Sequence, residues 1–206
     1  MTQKTAKPQS EAPAGRGLTR SVVLVGLMGA GKSCIGKRLA ERLELPFVDA
    51  DNEIEKAAGC SIADIFEAHG EQAFRDGERR VIARLLDGPP QVLATGGGAY
   101  MDPQTRETIR ERGIAIWLRA DLDLLVKRTA KRSHRPLLNK GNPRQILKDL
   151  MDQRYPVYAE ADLVIDSRDG PPEDTVKRTL AALEAHIDKT RGQATAIERS
   201  GGGAAR

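Results

Sequence analysis

The chain of 206 residues suffices for one domain with modest tails, and it holds neither an apolar run of membrane-spanning length nor the hydrophobic stretch of a secretory signal. Its net charge of +4 lies at the ends: residues 1–20 carry four Lys/Arg against one Glu, residues 189–206 do the same, and residues 21–188 are left at −2. A basic excess confined to the ends, with only 3% aromatic residues on which to stack bases, argues against nucleic acid as the main partner.

Residues 1–20 mix Gln, Lys, Pro, Ser, Ala and Gly without periodicity and are expected to be a disordered tail; Pro8 and Pro13 spoil the amphipathic helix of a transit peptide. Val22–Val25 then reads as a buried strand. It runs into Gly26-Leu-Met-Gly29-Ala30-Gly31-Lys32-Ser33, the G-x-x-x-x-G-K-S signature, followed by helical spacing over 35–45. Glycines let backbone N–H groups turn inward around phosphate oxygens, and the helix start adds unpaired N–H groups and a positive dipole end. Lys32 can reach the β- and γ-phosphates, and the Ser33 hydroxyl can take one position on Mg²⁺. The residues alone therefore predict nucleoside triphosphate binding. Cys34 and Cys60 sit in helix-like contexts without metal spacing, which fits a reduced, intracellular setting.

Residues 46–51 read as a short strand ending in Asp49 and Asp51. In an open α/β sheet, ligands gather beyond the carboxyl ends of strands, and alternation puts both carboxylates on one face. One can approach the Mg²⁺ shell while the other meets an acceptor hydroxyl; capping a helix that starts near Asn52 is the other use open to either. Residues 52–87 carry helical spacing broken at Gly59 and Gly70, with Ser61 and Asp64 as a capping pair for a short helix and Gly70-Glu71 opening another. That excursion between strands is where an acceptor-binding lobe would be inserted.

The next strand, 91–94, ends in Thr95-Gly96-Gly97-Gly98, where backbone can approach a ligand without side-chain obstruction. A strand over 114–118 and a helix over 122–130 follow. Residues 131–143 are basic and turn-rich, as suits a loop that folds over phosphates and supplies an arginine. His134 in that loop is as readily a solvated surface histidine as a proton carrier. Asn139-Lys140-Gly141-Asn142 imitates a guanine-reading N-K-x-D but lacks its carboxylate, and no D-x-x-G occurs, so a GTPase switch is excluded. A helix over 146–155, a strand over 162–166 and a helix over 175–186 complete the series. Strands alternating with helices predict a three-layer αβα domain on a five-stranded parallel sheet.

The ordered motifs resemble shikimate kinase, of the nucleoside-monophosphate-kinase-like branch of phosphate-loop proteins. They are the phosphate loop, Asp49-x-Asp51, Ser61-Ile62-x-x-Ile65-Phe66-x-x-x-Gly70-Glu71-x-x-Phe74-Arg75-x-x-Glu78, Gly96-Gly97-Gly98, Arg135-Pro136-Leu137-Leu138 and Arg154-Tyr-Pro-Val-Tyr. The resemblance runs from about Val22 to Asp166; Cys34 departs from a more common threonine. It implies transfer of phosphate from ATP to the 3-hydroxyl of shikimate, on the route to chorismate and the aromatic amino acids. It further implies that Asp51 holds the acceptor hydroxyls and receives the proton, that Arg75 and Arg154 grip the carboxylate, and that Gly96, Gly97 and Gly98 line the pocket. Gly29, Ala30, Gly31, Lys32, Ser33 and Cys34 would bind ATP, with Arg128 against adenine. Lys32 and a lid-borne Arg135 would stabilise the transferring phosphoryl, Ser33 would bind Mg²⁺ directly and Asp49 through water.

The expected organisation is a tail over 1–20, a kinase domain over 21–188 with an acceptor lobe at about 51–80 and a lid at about 131–143, and a second tail over 189–206. The expected partners are ATP and shikimate, with no nucleic acid and no membrane, in a cytoplasmic monomer. A gluconate or nucleotide kinase of the same branch, or a nucleotide-dependent binding module without turnover, are the competing readings. The joint presence of Asp51, Arg75, Arg135 and Arg154 favours the kinase with a carboxylate-bearing acceptor.

Overall fold

The structure, a computed structural model, describes residues 18–130 and 141–201, with side chains through residue 192. Five parallel strands, β1 (Ser21–Val25), β2 (Phe47–Asp49), β3 (Val92–Ala94), β4 (Gly113–Arg119) and β5 (Leu163–Asp166), form one sheet in the order β2-β3-β1-β4-β5. Central β1 pairs with β3 through Val23↔Leu93 and with β4 through Val23↔Ala115. Both of its faces are covered, so Val22, Val23, Leu24 and Val25 are all fully buried. This is why the strand reads as an unbroken apolar run and not as an alternation.

Seven α-helices and one short 3₁₀ helix connect the strands among the described residues: α1 (Lys32–Leu43), α2 (Ala50–Ala58), α3 (Ile62–Leu86), η1 (Ala99–Met101), α4 (Pro103–Arg112), α5 (Leu122–Ala130), α6 (Pro143–Tyr158) and α7 (Pro172–Gly201). The connection from β1 moves toward the β2 edge, while those from β3 and β4 move toward the β5 edge. Right-handed crossovers in opposite directions put their helices on opposite faces. Accordingly α1 packs on α7 across one face, and α4 packs on α3 and β4 across the other. The direction reverses at β1, so the crevice beyond its carboxyl end is the place for a ligand.

Several boundaries differ from the sequence expectation, each for a local reason. Helix α1 begins at Lys32, three residues early, because Gly31 turns the chain in the left-handed region at φ 104° and needs no side-chain cap. Strand β2 stops at Asp49, whose carboxylate caps α2, so Asp51 sits in the first helical turn and not on an extended stretch with Asp49. Helix α4 has no counterpart among the predicted elements; its signal is the cap Asp102 followed by Pro103 at the first helical position. Helix α6 passes through Pro156 to Tyr158 where the sequence suggests a break. Near a helix end, proline forfeits one internal hydrogen bond and little beyond it remains to be propagated.

The last helix was expected to end at His186, before a tail over 189–206; it continues to Gly201. Gln, Ala, Glu and Arg among residues 193–199 are adequate helix formers. Within α3 the expected cap is present, Ser61 and Asp64 bonding reciprocally, and Gly70 interrupts the helix at φ 78°, ψ 177°. Helices α2 and α3 enclose a small apolar cluster of Ile54, Phe74 and Val81, apart from the main core.

Helix α1 lies on the sheet at the closest approach its sequence permits. A Cβ on Gly36 would stand 2.5 Å from Cε2 of Phe47 and 3.1 Å from Cδ1 of Leu24. Gly36→Ala should therefore destabilise the domain by about 1–2 kcal/mol, overpacking outweighing the gain in helix propensity. Urea unfolding checks this; an unchanged or higher midpoint would show that α1 can lift away freely.

Candidate active site

The carboxyl ends of β1, β2 and β3 gather three loops into one cleft. From β1 comes the phosphate loop, where Lys32 Nζ donates to the carbonyls of Gly26 at 2.7 Å and Leu27 at 3.1 Å. Ser33 Oγ, on the first turn of α1, donates to Asp49 Oδ2 at 2.8 Å. The other oxygen of that carboxylate accepts the backbone N–H of Asp51 at 3.2 Å. Asp49 thus caps a helix with one oxygen and accepts from Ser33 with the other.

Asp51 projects from the first turn of α2 toward the glycine run after β3. A Cβ on Gly96 would lie 2.8 Å from Asp51 Oδ1 and 2.8 Å from Glu78 Oε1. A Cβ on Gly98 would lie 2.5 Å from Nη2 of Arg75. Three charged side chains therefore occupy space that any residue larger than glycine would fill. Arg75 is held on α3 by Glu78, with Nη1 donating to Oε2 at 2.6 Å, and more loosely by Glu71 at 3.3 Å. Arg154, from α6, donates through Nη1 to the carbonyl of Gly97 at 2.9 Å. The predicted acceptor residues Asp51, Arg75, Arg154, Gly96, Gly97 and Gly98 are thus brought together by four separate elements.

The nucleotide side is assembled differently. Arg128, on α5, donates through Nη1 to Ser167 Oγ at 2.8 Å and more weakly to the carbonyls of Ala30 and Gly29 at 3.3 and 3.4 Å. Its Nη2 donates to the carbonyl of Arg168 at 2.7 Å. It bridges the phosphate loop to the segment after β5. Cys34 is exposed on α1, its sulfur accepting from Arg38 Nη1 at 3.0 Å. Arg135 lies outside the described residues, as do residues 131–140 of the lid expected at about 131–143.

Two residues without a predicted role belong to this cleft. Glu78 is 2% exposed, and among the described residues its Oε1 has no hydrogen-bond partner. Its place beside Arg75 is signalled by the i,i+3 spacing on one helix. Tyr158, buried one turn beyond Arg154, donates its hydroxyl to the same Gly97 carbonyl. The i,i+4 spacing puts it on the face of Arg154, but nothing local identifies the acceptor.

Burial, and then the negative charge of Asp49, push the Asp51 carboxyl above the usual carboxylate range, against the pull of Lys32 and Arg75. Burial also raises Glu78, with Arg75 opposing it. Asp51 is therefore a better proton acceptor than an exposed aspartate. No group of three or more His, Cys, Asp or Glu side chains with metal-binding geometry occurs among the described residues. The oxygen pair of Ser33 and Asp49 instead suits a hard cation that completes its shell with water and phosphate, as Mg²⁺ does. No helix among the described residues is long and apolar enough to cross a membrane.

A family model described as shikimate kinase matches residues 28–184. A shikimate kinase of Paramagnetospirillum magneticum is 62% identical over 82% of this chain and 87% of its own length. One of Bradyrhizobium diazoefficiens is 53% identical over 88% and 87% respectively. Among solved structures, a shikimate kinase from Acinetobacter baumannii in complex with shikimate superposes with a TM-score of 0.77 at 40% identity, covering 81% of this chain and 93% of that one.

A raised carboxyl pKa has a consequence for stability. The folded state holds the Asp51 proton more tightly than the unfolded chain, so ionisation costs stability above the folded pKa and nothing below about pH 4. Asp51→Asn should raise the thermal midpoint at about pH 8, with the difference closing toward about pH 4. A midpoint at or below that of the parent across this range would show that Lys32 and Arg75 outweigh burial and Asp49.

Proposed function

The chain belongs to the shikimate kinase family, and we propose that its reaction, transfer of the γ-phosphoryl group of ATP to the 3-hydroxyl of shikimate, is divided among the side chains of this cleft as follows. The observation that carries the reading is the convergence of Asp51, Arg75 and Arg154 on Gly96–Gly98 beside the phosphate loop. Two guanidinium groups beside one glycine run suit a carboxylate, which takes parallel N–H donors. A raised, partly buried carboxyl beside the same run suits a hydroxyl that must be oriented and then deprotonated.

Arg75 and Arg154 grip the shikimate carboxylate, while Gly96, Gly97 and Gly98 let the ring lie against backbone. Asp51 accepts a hydrogen bond from the 3-hydroxyl and directs its oxygen at the γ-phosphorus. As the new O–P bond forms, the bond to the β–γ bridging oxygen breaks, ADP leaves, and the hydroxyl proton passes to Asp51. Little covalent work is asked of the protein; positioning and charge neutralisation dominate phosphoryl transfer. Backbone N–H groups of Gly29, Ala30, Gly31 and Cys34 cradle phosphate oxygens, and Lys32 meets the negative charge on the transferring group. Arg135, which lies outside the described residues, would add its charge to the same group. Arg128 supports the adenine side. Ser33 and Asp49 would hold Mg²⁺, the first directly and the second through water, and the ion would supply neutralisation of phosphate charge when bound. The enzyme acts as a cytoplasmic monomer, with ATP and shikimate as its partners.

Coupled ADP release in the presence of Mg²⁺ is the first test, with no acceptor, shikimate, gluconate or AMP added. Stimulation by shikimate alone is expected; turnover with a different acceptor would keep the phosphate site and remove the acceptor assignment. Asp51→Asn should lower kcat by about 10²-fold or more with little change in ATP affinity, measured by nucleotide titration. Arg75→Lys should raise the KM for shikimate by about tenfold, since ammonium cannot reproduce the bidentate contact. An unchanged KM would contradict the carboxylate role.

A further inference from the structure

The Gly97 carbonyl is a junction. A carbonyl oxygen has two lone pairs, and here both are addressed from α6, by Arg154 Nη1 at 2.9 Å and by the Tyr158 hydroxyl. The two donors are one helical turn apart, so they reach the same oxygen from a single rigid face. Gly97 has no side chain to fix its own peptide, and it lies against the mouth of the phosphate loop: a Cβ there would be 3.6 Å from both the Gly26 carbonyl and the Met28 nitrogen. The flanking carbonyls of Gly96 and Gly98 accept from Ala99 and Met101 within the run, so the Gly97 carbonyl is the one whose partners come from another element.

Tyr158 is built to orient that carbonyl. Its side chain is fully buried, with ring centroids of Trp117 at 5.9 Å and of Tyr155 and Tyr100 at 6.3 Å. The ring cannot swing, so the hydroxyl is aimed. Burial pushes the phenol up to about 12, which keeps the hydroxyl a donor at any pH at which the enzyme works.

We propose that Tyr158 is a positioning residue for acceptor binding: its hydroxyl pins the Gly97 peptide, and the pinned carbonyl sets the Arg154 guanidinium toward the acceptor carboxylate. The inference rests on the reading of Arg154 as half of the carboxylate clamp. With one N–H committed to Gly97, the remaining N–H groups of Arg154 point along a direction that the carbonyl fixes. Without the tyrosine hydroxyl, the Gly97 carbonyl keeps only the longer, more flexible Arg154 as donor, and within the limits set by the turn bonds at Gly96 and Gly98 its direction loosens, and that of the guanidinium with it.

Tyr158→Phe removes one oxygen and keeps the ring. It should raise the KM for shikimate by about fivefold, the worth of one neutral hydrogen bond, while the KM for ATP and kcat move by less than about twofold. Tyr155→Phe is the matched comparison, since the Tyr155 hydroxyl donates from the same helix to the Ala120 carbonyl, away from the glycine run; it should leave both KM values unchanged. In an Arg154→Lys background, Tyr158→Phe should add less than about twofold to the KM for shikimate, because the two act through one carbonyl. If Arg154→Lys itself leaves that KM unchanged, the clamp reading fails. If it raises KM but Tyr158→Phe does not, only the positioning role is overturned. A Tyr158→Phe chain that fails to fold, or that raises both KM values in parallel, would assign the hydroxyl a general structural role and overturn the proposal as well.

Discussion

Three consecutive glycines after β3 set the terms for the charged cluster beside the phosphate loop. Asp51, Glu78 and Arg75 reach their positions only because no Cβ stands at Gly96 or Gly98, where one would lie 2.5–2.8 Å from their charged atoms. The glycine run also accepts Arg154 and Tyr158 on its central carbonyl. Charge is thus arranged around bare backbone, with β3 supplying the rigid origin and helices α2, α3 and α6 bringing the groups. A site assembled from four elements is held as precisely as those elements pack, which is the use of a sheet buried on both faces.

The electrostatics follow from that crowding. Asp49, Asp51 and Glu78 lie near one another, and two of the three are mostly removed from water. Lys32, Arg75 and Arg154 offset them, so the cleft is a balanced set of opposite charges and not a one-sign field. Arg75 is held by Glu78 before any ligand is considered, at the cost of leaving the second oxygen of Glu78 without a partner among the described residues. A guanidinium fixed in this way loses less rotamer freedom when it engages a carboxylate.

Legibility in the sequence tracked the range of the interaction involved. The phosphate loop and β1 were plain, since a contiguous motif and a doubly buried strand are both local signals. The cap of α3 at Ser61 and Asp64, and the interruption at Gly70, were readable for the same reason. Helix α4 was not: within Pro103–Arg112 only Thr105 and Ile109 are buried, too few to mark an apolar stripe. Asp51 was read as ending a strand but stands in the first turn of a helix, because a carboxylate just inside a capped helix and one that ends a strand look alike in one dimension. Glu78 stood in a quoted motif without a role, and Tyr158 in another, since the acceptor of its hydroxyl lies 61 residues away in the chain.

Helices α2 and α3 serve two clusters at once: Ala50, Ile82 and Leu86 belong to the main core, while Ile54, Phe74 and Val81 make a small one of their own, with Leu85 packed against both. Packing shared in this way couples two kinds of change. A substitution that reshapes the small cluster shifts helices that also bury Ala50, Ile82 and Leu86 against the sheet, so it is felt beneath the phosphate loop as well. Tuning one end of the site therefore carries a stability cost at the other.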